Sequence, residues 1–201
     1  MRCTKDTVLL LALCASFASF AGCVGDTKGS EDTAAAMSSA RSDRTAGALD
    51  ACALVQTAEV DAAFAPRVFG NGEKGASDMA GTDRLAAFST CTFTSTGPSV
   101  RELMTVGIFV RRAPSDAMGV SFATAKEGAV KLNATPPVDV SGLGDSAYWI
   151  NLGSSSLPNI QLNVFKGQRV WFIFSATTWR LETDTALSGL TKVAEASLGR
   201  F

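Results

Sequence analysis

Three stretches of this chain place large apolar residues at every second position, and they constrain its fold more than any other feature. Met104, Val106, Ile108 and Val110 share one face of a strand expected over Leu103 to Val110. Ile160, Leu162 and Val164 alternate in a second, and Val170, Phe172 and Phe174 in a third, with the turn Lys166-Gly167-Gln168 between them. The third differs from the others, because Trp171 and Ile173 make its opposite face apolar too. A strand apolar on both faces must be central in its sheet, or have both faces covered. Cys91-Thr92-Phe93-Thr94 and Tyr148 to Leu152 read as shorter strands. Gly142-Leu143-Gly144-Asp145-Ser146 carries the glycines of a phosphate loop but precedes a strand, and no Lys-Ser or Lys-Thr follows it. It reads as a tight bend that sets the register of Tyr148 and Trp149, with the rim of a binding cleft as the functional alternative.

Helical signals lie between and around these strands. Asp50 can cap a short helix running to Val55, and Thr57 a second with Glu59 in its first turn and Val60, Ala63 and Phe64 on one side. Ser115 to Lys131 reads as one helix, with Phe122, Ala125, Ala129 and Leu132 near one face and Pro136-Pro137 beyond its end. A closing helix from Asp184 to Leu198 carries the apolar stripe Leu187, Leu190, Ala194 and Leu198. Pro66 to Arg84 is Gly-rich, polar and read as loop. Short connections imply hairpins, so the expected fold is α+β. An antiparallel sheet of about five strands would carry packed helices, in the order α-β-β-α-β-β-β-α.

The N-terminus dictates an address. Arg2 and Lys5 precede an apolar run from Val8 to Ala21, and Ser19-Phe20-Ala21-Gly22 leads into Cys23. The run is about 14 residues, whereas a helix needs roughly 20 to cross a bilayer, so a removable signal fits better than a span. Small residues before a cysteine are the pattern of a lipoprotein signal, although Phe20 stands where Leu is preferred. Leu11-Ala12-Leu13-Cys14 is a poorer site, and ordinary cleavage near Ala21 would leave Cys23 a stray thiol. The expected organisation is a signal peptide over 1–22, a lipidated Cys23 with a flexible tether over 23–48, and one globular domain over 49–201. Val24 to Gly47, rich in Ala, Ser, Thr, Asp and Gly, cannot bury enough surface to offset ordering entropy. Two acyl chains would hold the protein stably on the extracytoplasmic face of the cell membrane or, in a two-membrane host, of the outer membrane.

Of the five cysteines, Cys3 and Cys14 leave with the signal and Cys23 is the acylation site, so Cys52 and Cys91 remain. In an oxidising compartment a Cys52–Cys91 disulfide is the natural reading. The rival is a pair of reduced thiols acting as metal ligands or a redox couple, which the lack of CxxC and of histidine disfavours. The absence of histidine also removes Ser-His and Cys-His nucleophile pairs and every His-ligated metal site. No catalytic residue, metal or cofactor is assigned. Glu182 with Asp184 could act as an acid and base on a glycoside, but a helix begins there and capping explains them better. Net charge is −1 with both signs mixed, and no basic stripe points to nucleic acid. The candidate ligand or partner surface comprises Trp149, Trp179, Arg111 and Arg112.

Three features in order carry a resemblance: Asp50-Ala51-Cys52-Ala53-Leu54-Val55 with Thr57-Ala58-Glu59-Val60; Cys91-Thr92-Phe93; and Val140 to Trp149 followed by the strand pair around Lys166-Gly167. Over roughly residues 49 to 200 the chain resembles a domain-of-unknown-function family of small secreted lipoproteins best known from actinobacteria. The resemblance implies an N-terminal lipid anchor, the Cys52–Cys91 bridge, an α+β fold similar to PsbP-like domains, and no established catalytic residues. The functional expectation is a lipid-anchored extracytoplasmic binding or accessory module for a partner protein, a cell-envelope component or an apolar ligand. A structural envelope lipoprotein is the second reading, and a carboxylate-based hydrolase the third.

Overall fold

The alternating stretches pair side by side. A computed structural model describes residues 49–132 and 135–201; the signal segment, Cys23 and the tether lie outside the described residues. The strands are β1 (Glu73–Lys74), β2 (Ala87–Thr94), β3 (Thr105–Arg112), β4 (Val138–Val140), β5 (Ser146–Asn151), β6 (Asn159–Lys166) and β7 (Val170–Thr177). The helices are α1 (Thr57–Ala63), α2 (Phe122–Leu132) and α3 (Thr183–Arg200), with 3-10 turns at Ala51–Ala53 and Asp116–Met118. The strands form one antiparallel sheet in the order β1-β2-β3-β7-β6-β5-β4. The strand apolar on both faces, β7, is central, the first of the two places its composition allows.

The sheet has seven strands rather than about five, and the element order becomes α-β-β-β-α-β-β-β-β-α. The two additional strands, β1 and β4, are the edges, two and three residues long. Neither is long enough to display a period. β1 lies inside the segment read as loop, where Glu73 pairs with Thr92 and Lys74 with Cys91. β4 places Val138 opposite Trp149.

Three helices also differ from expectation. The opening helix is only the turn Ala51–Ala53, capped by the Asp50 carboxylate, which accepts from Cys52 N–H at 3.1 Å. Next, α1 is preceded by Gln56 rather than capped by Thr57, and the Glu59 carboxylate accepts from Gln56 N–H at 2.8 Å. The single helix expected from Ser115 breaks at Gly119. The Gln168 carbonyl comes so close that a Cβ on Gly119 would lie 1.9 Å from it. The chain pairs there instead, Val120 N–H donating to Gln168 O at 3.0 Å, and α2 restarts where Ser121 Oγ accepts from Thr124 N–H at 3.2 Å.

Strand alternation divides the sheet into two faces. One carries Cys91, Phe93, Val106, Ile108, Val110, Leu162, Phe172 and Phe174, all buried beneath α1, α3 and the Ala51 turn. Each fully buried Phe contributes roughly 2–3 kcal/mol. The face of α3 toward this core comprises Ala186, Gly189, Leu190, Val193, Ala194 and Ser197, while Leu187 and Leu198 flank it half-buried. The expected stripe is therefore rotated, because Gly189 lets α3 approach Phe64. The second face is covered in part by α2, whose Phe122, Ala125 and Ala129 pack over Tyr148, Ile150 and Phe165; the Leu132 side chain lies outside the described residues.

Candidate functional site

The second face becomes a site because α2 covers only half of it. Phe88 on β2, Phe109 on β3, Trp171 on β7, Phe165 on β6 and Tyr148 on β5 all project from this face, and their rings run across five strands. Successive centroids are 6.2, 6.2, 5.8 and 6.2 Å apart. Spacings of 4.5–7 Å are those at which aromatic pairs attract. Phe122 of α2 closes one end, edge-on to Tyr148 and Phe165 at 5.8 and 5.7 Å. At the other end Phe88 and Phe109 are only half-buried.

Beside this stripe, between α2 and the sheet, lies a groove of two adjoining cavities. One, about 380 Å³, is bordered by Ala125, Gly128 and Ala129 of α2 and by Tyr148, Ile150, Trp171 and Ile173 of the sheet. The other, about 290 Å³, runs over Thr90, Thr92, Gly107, Phe109 and Ser175; Gln161 and Ile173 belong to both. Gly128 leaves the helix wall open, with nothing within 4 Å of the position a Cβ would take. One pair of polar groups in the groove is fixed by its own hydrogen bond. Asn163 is buried and its Oδ1 accepts from Trp171 Nε1–H at 3.1 Å, which locks the indole in place. Burial raises the pKa of the Tyr148 hydroxyl, so it stays a neutral donor. Such a surface offers apolar contact and a few orienting hydrogen bonds.

The residues assigned from sequence do not converge. Arg111 belongs to the groove face, paired with Phe88 and Trp171, and its Nη2 donates to Met118 O at 3.0 Å. Arg112, one residue on, points to the other face and lies 4.8 Å from the centre of the Phe201 ring. Strand alternation thus splits the arginine pair. Trp149 is also on the α3 face, half-buried against the main core, and Trp179 follows β7, 42% exposed. Cys52 and Cys91 form a disulfide with Cα atoms 5.0 Å apart. Glu182 occupies the capping position of α3 without a side-chain cap bond, so capping does not account for it; Asp184 lies in the first turn. Among the described residues no three His, Cys, Asp or Glu side chains come together as a metal site.

Phe88, Phe109, Phe165 and Gly128 escaped the sequence reading, which noted Ile173 only as part of an apolar strand face. A signal was present. Phe109, Phe165 and Ile173 are the apolar residues at the out-of-phase positions of otherwise alternating strands. Nothing in the sequence tells that their face is half open.

No protein-family model matches the chain, and no curated protein matches it. Among solved structures it is similar to the extracellular domain of PknH from Mycobacterium tuberculosis, with 13% identity and a TM-score of 0.41 over 73% of this chain and 94% of that one.

Proposed function

We propose that this chain is a lipid-anchored extracytoplasmic module that binds an apolar molecule in the groove between α2 and the sheet, without catalysing its conversion. The observation that carries the reading is the aromatic stripe and adjoining groove, open on a face where β7 has the composition of a buried strand. The Cys52–Cys91 bridge fits an oxidising compartment. Among the described residues no helix is long and apolar enough to cross a membrane. The anchor in this reading is the acylated Cys23. The resemblance to small secreted lipoproteins supports the same assignment.

Native mass spectrometry of the full-length protein, gently extracted from its own cell envelope, tests all of it. Acyl mass on Cys23 and a second, non-covalent mass lost on denaturation are expected. The second mass should be absent from Gly128→Phe, whose ring fills the groove from the open wall. A lipidated protein with nothing bound in either form would favour a structural envelope role. An unmodified Cys23 would remove the anchor.

A further inference from the structure

The segment after β7 builds a second site, separate from the groove. Trp179 is a large side chain left 42% exposed, yet its backbone is held from both sides. On one side the buried Thr178 hydroxyl donates to Leu103 O at 2.7 Å, tying the segment to the turn that carries Arg101. On the other, Arg180 N–H donates to Ser156 O at 3.0 Å, tying it to the β5–β6 loop. That loop is closed on itself, Leu157 N–H donating to Ser154 Oγ at 3.1 Å. An exposed indole on a pinned segment is presented rather than left over, since ordering it has a cost that burial does not recover.

Its surroundings specify a ligand. Arg101, Ser156, Trp179 and Arg180 line a depression of about 520 Å³. The Arg101 guanidinium carbon lies 5.7 Å from the centre of the Trp179 ring, within cation–π range. Neither Arg101 nor Arg180 has a carboxylate within 4.0 Å among the described residues, so neither guanidinium at this depression is held in an ion pair there. Arg180 also has φ +51°, a left-handed conformation that disfavours any residue with a Cβ. Glycine would relieve that strain, and the chain has arginine there. Strained residues of this kind cluster at ligand clamps. The lining offers two guanidinium groups, a serine hydroxyl and one apolar ring face. Its complement is negative, rich in acceptors and flat on one side.

We infer that Arg101, Ser156, Trp179 and Arg180 form a binding site for an anionic sugar, a saccharide ring bearing a phosphate or a carboxylate. The anion lies between the two guanidinium groups, and the C–H face of the ring stacks on the indole. This site does not depend on the groove reading.

The test is a titration of the folded protein followed by the three tryptophan indole N–H signals in a nitrogen–proton NMR spectrum, with Trp179→Phe identifying the relevant one. Glucose 6-phosphate and glucuronate are the probes, and their relative affinities tell phosphate from carboxylate. Either should move the Trp179 signal at millimolar concentration and bind about tenfold or more tightly than glucose or inorganic phosphate, because each control lacks one half of the recognition. Arg180→Gly, which keeps the left-handed backbone without strain, should remain folded and weaken binding by about tenfold or more, as should Arg101→Ala. Gly128→Phe, which fills the groove, should leave the titration unchanged. The assignment is overturned if no probe shifts Trp179, if inorganic phosphate or glucose binds as well as the sugar acids, if Arg180→Gly binds as the natural protein does, or if Gly128→Phe abolishes binding.

Discussion

Asp78 sits in the polar segment before β2, and its carboxylate accepts three hydrogen bonds: from the Ser89 hydroxyl at 2.6 Å, the Thr90 amide at 2.7 Å and the Thr90 hydroxyl at 3.2 Å. Ser89, fully buried, accepts in turn from Ala51 N–H at 3.0 Å, so one side chain ties the loop to the start of the domain. Burial pushes the Asp78 pKa up, but the Ser89 and Thr90 donors and nearby Lys74 outweigh it and hold the group below the usual carboxylate range. Glu59 is held low as well, chiefly by the hydrogen bond from Arg200 and then by the Gln56 amide. Both pKa values are depressed on folding, so their stabilisation is complete above the unfolded carboxylate pKa and disappears as pH falls through the folded one. The melting temperature should therefore be flat from neutrality down to about pH 5 and fall below about pH 4. Asp78→Asn should lower the plateau and flatten the acid limb. An unchanged slope in that variant would assign the pH dependence to other groups. The Asp78 contacts were not legible beforehand, because Asp78 acquires its donors only when its segment lies along β2.

At the scale of elements, two helical glycines carry the same sequence meaning and opposite structural meanings. Around Gly128 in α2 nothing lies within 4 Å of where a Cβ would stand, whereas a Cβ on Gly189 in α3 would lie 2.3 Å from the Phe64 ring. Gly128→Ala should raise stability by about 0.5–1 kcal/mol through helix propensity alone. Gly189→Ala should lower it by about 1–3 kcal/mol, since Phe64 or α3 must shift in a filled core. Urea midpoints at constant m-value would read both. Equal signs would mean that α1 and α3 do not meet as described. The strands were readable where side chains alternate over a full length, as in β3, β6 and β7. The edges β1 and β4 were not, because two or three residues set by pairing carry no pattern of their own.

Taken whole, the described domain is a sheet with one face closed and the other half open, stapled near its start. The Cys52–Cys91 bridge spans 39 positions and fastens the opening turn to β2, where Cys91 is fully buried. Replacing both cysteines by serine should cost roughly 4 kcal/mol on the chain-entropy model, read as a lower urea midpoint; a loss under about 1 kcal/mol would mean the unfolded chain is scarcely constrained by the bridge. The sequence by itself determined the fold class, that β7 is central or covered on both faces, and the pairing of the two cysteines. These follow from local periodicity, from apolar content on both faces of one strand, and from elimination among five cysteines. Tertiary structure alone decided which surface is available. It withdrew Trp149 against the core. It left α2 over only half of the aromatic stripe, and it brought Arg101, Ser156 and Trp179 together from three loops. Proximity between residues far apart in the chain depends on how elements pack, and no local pattern encodes it.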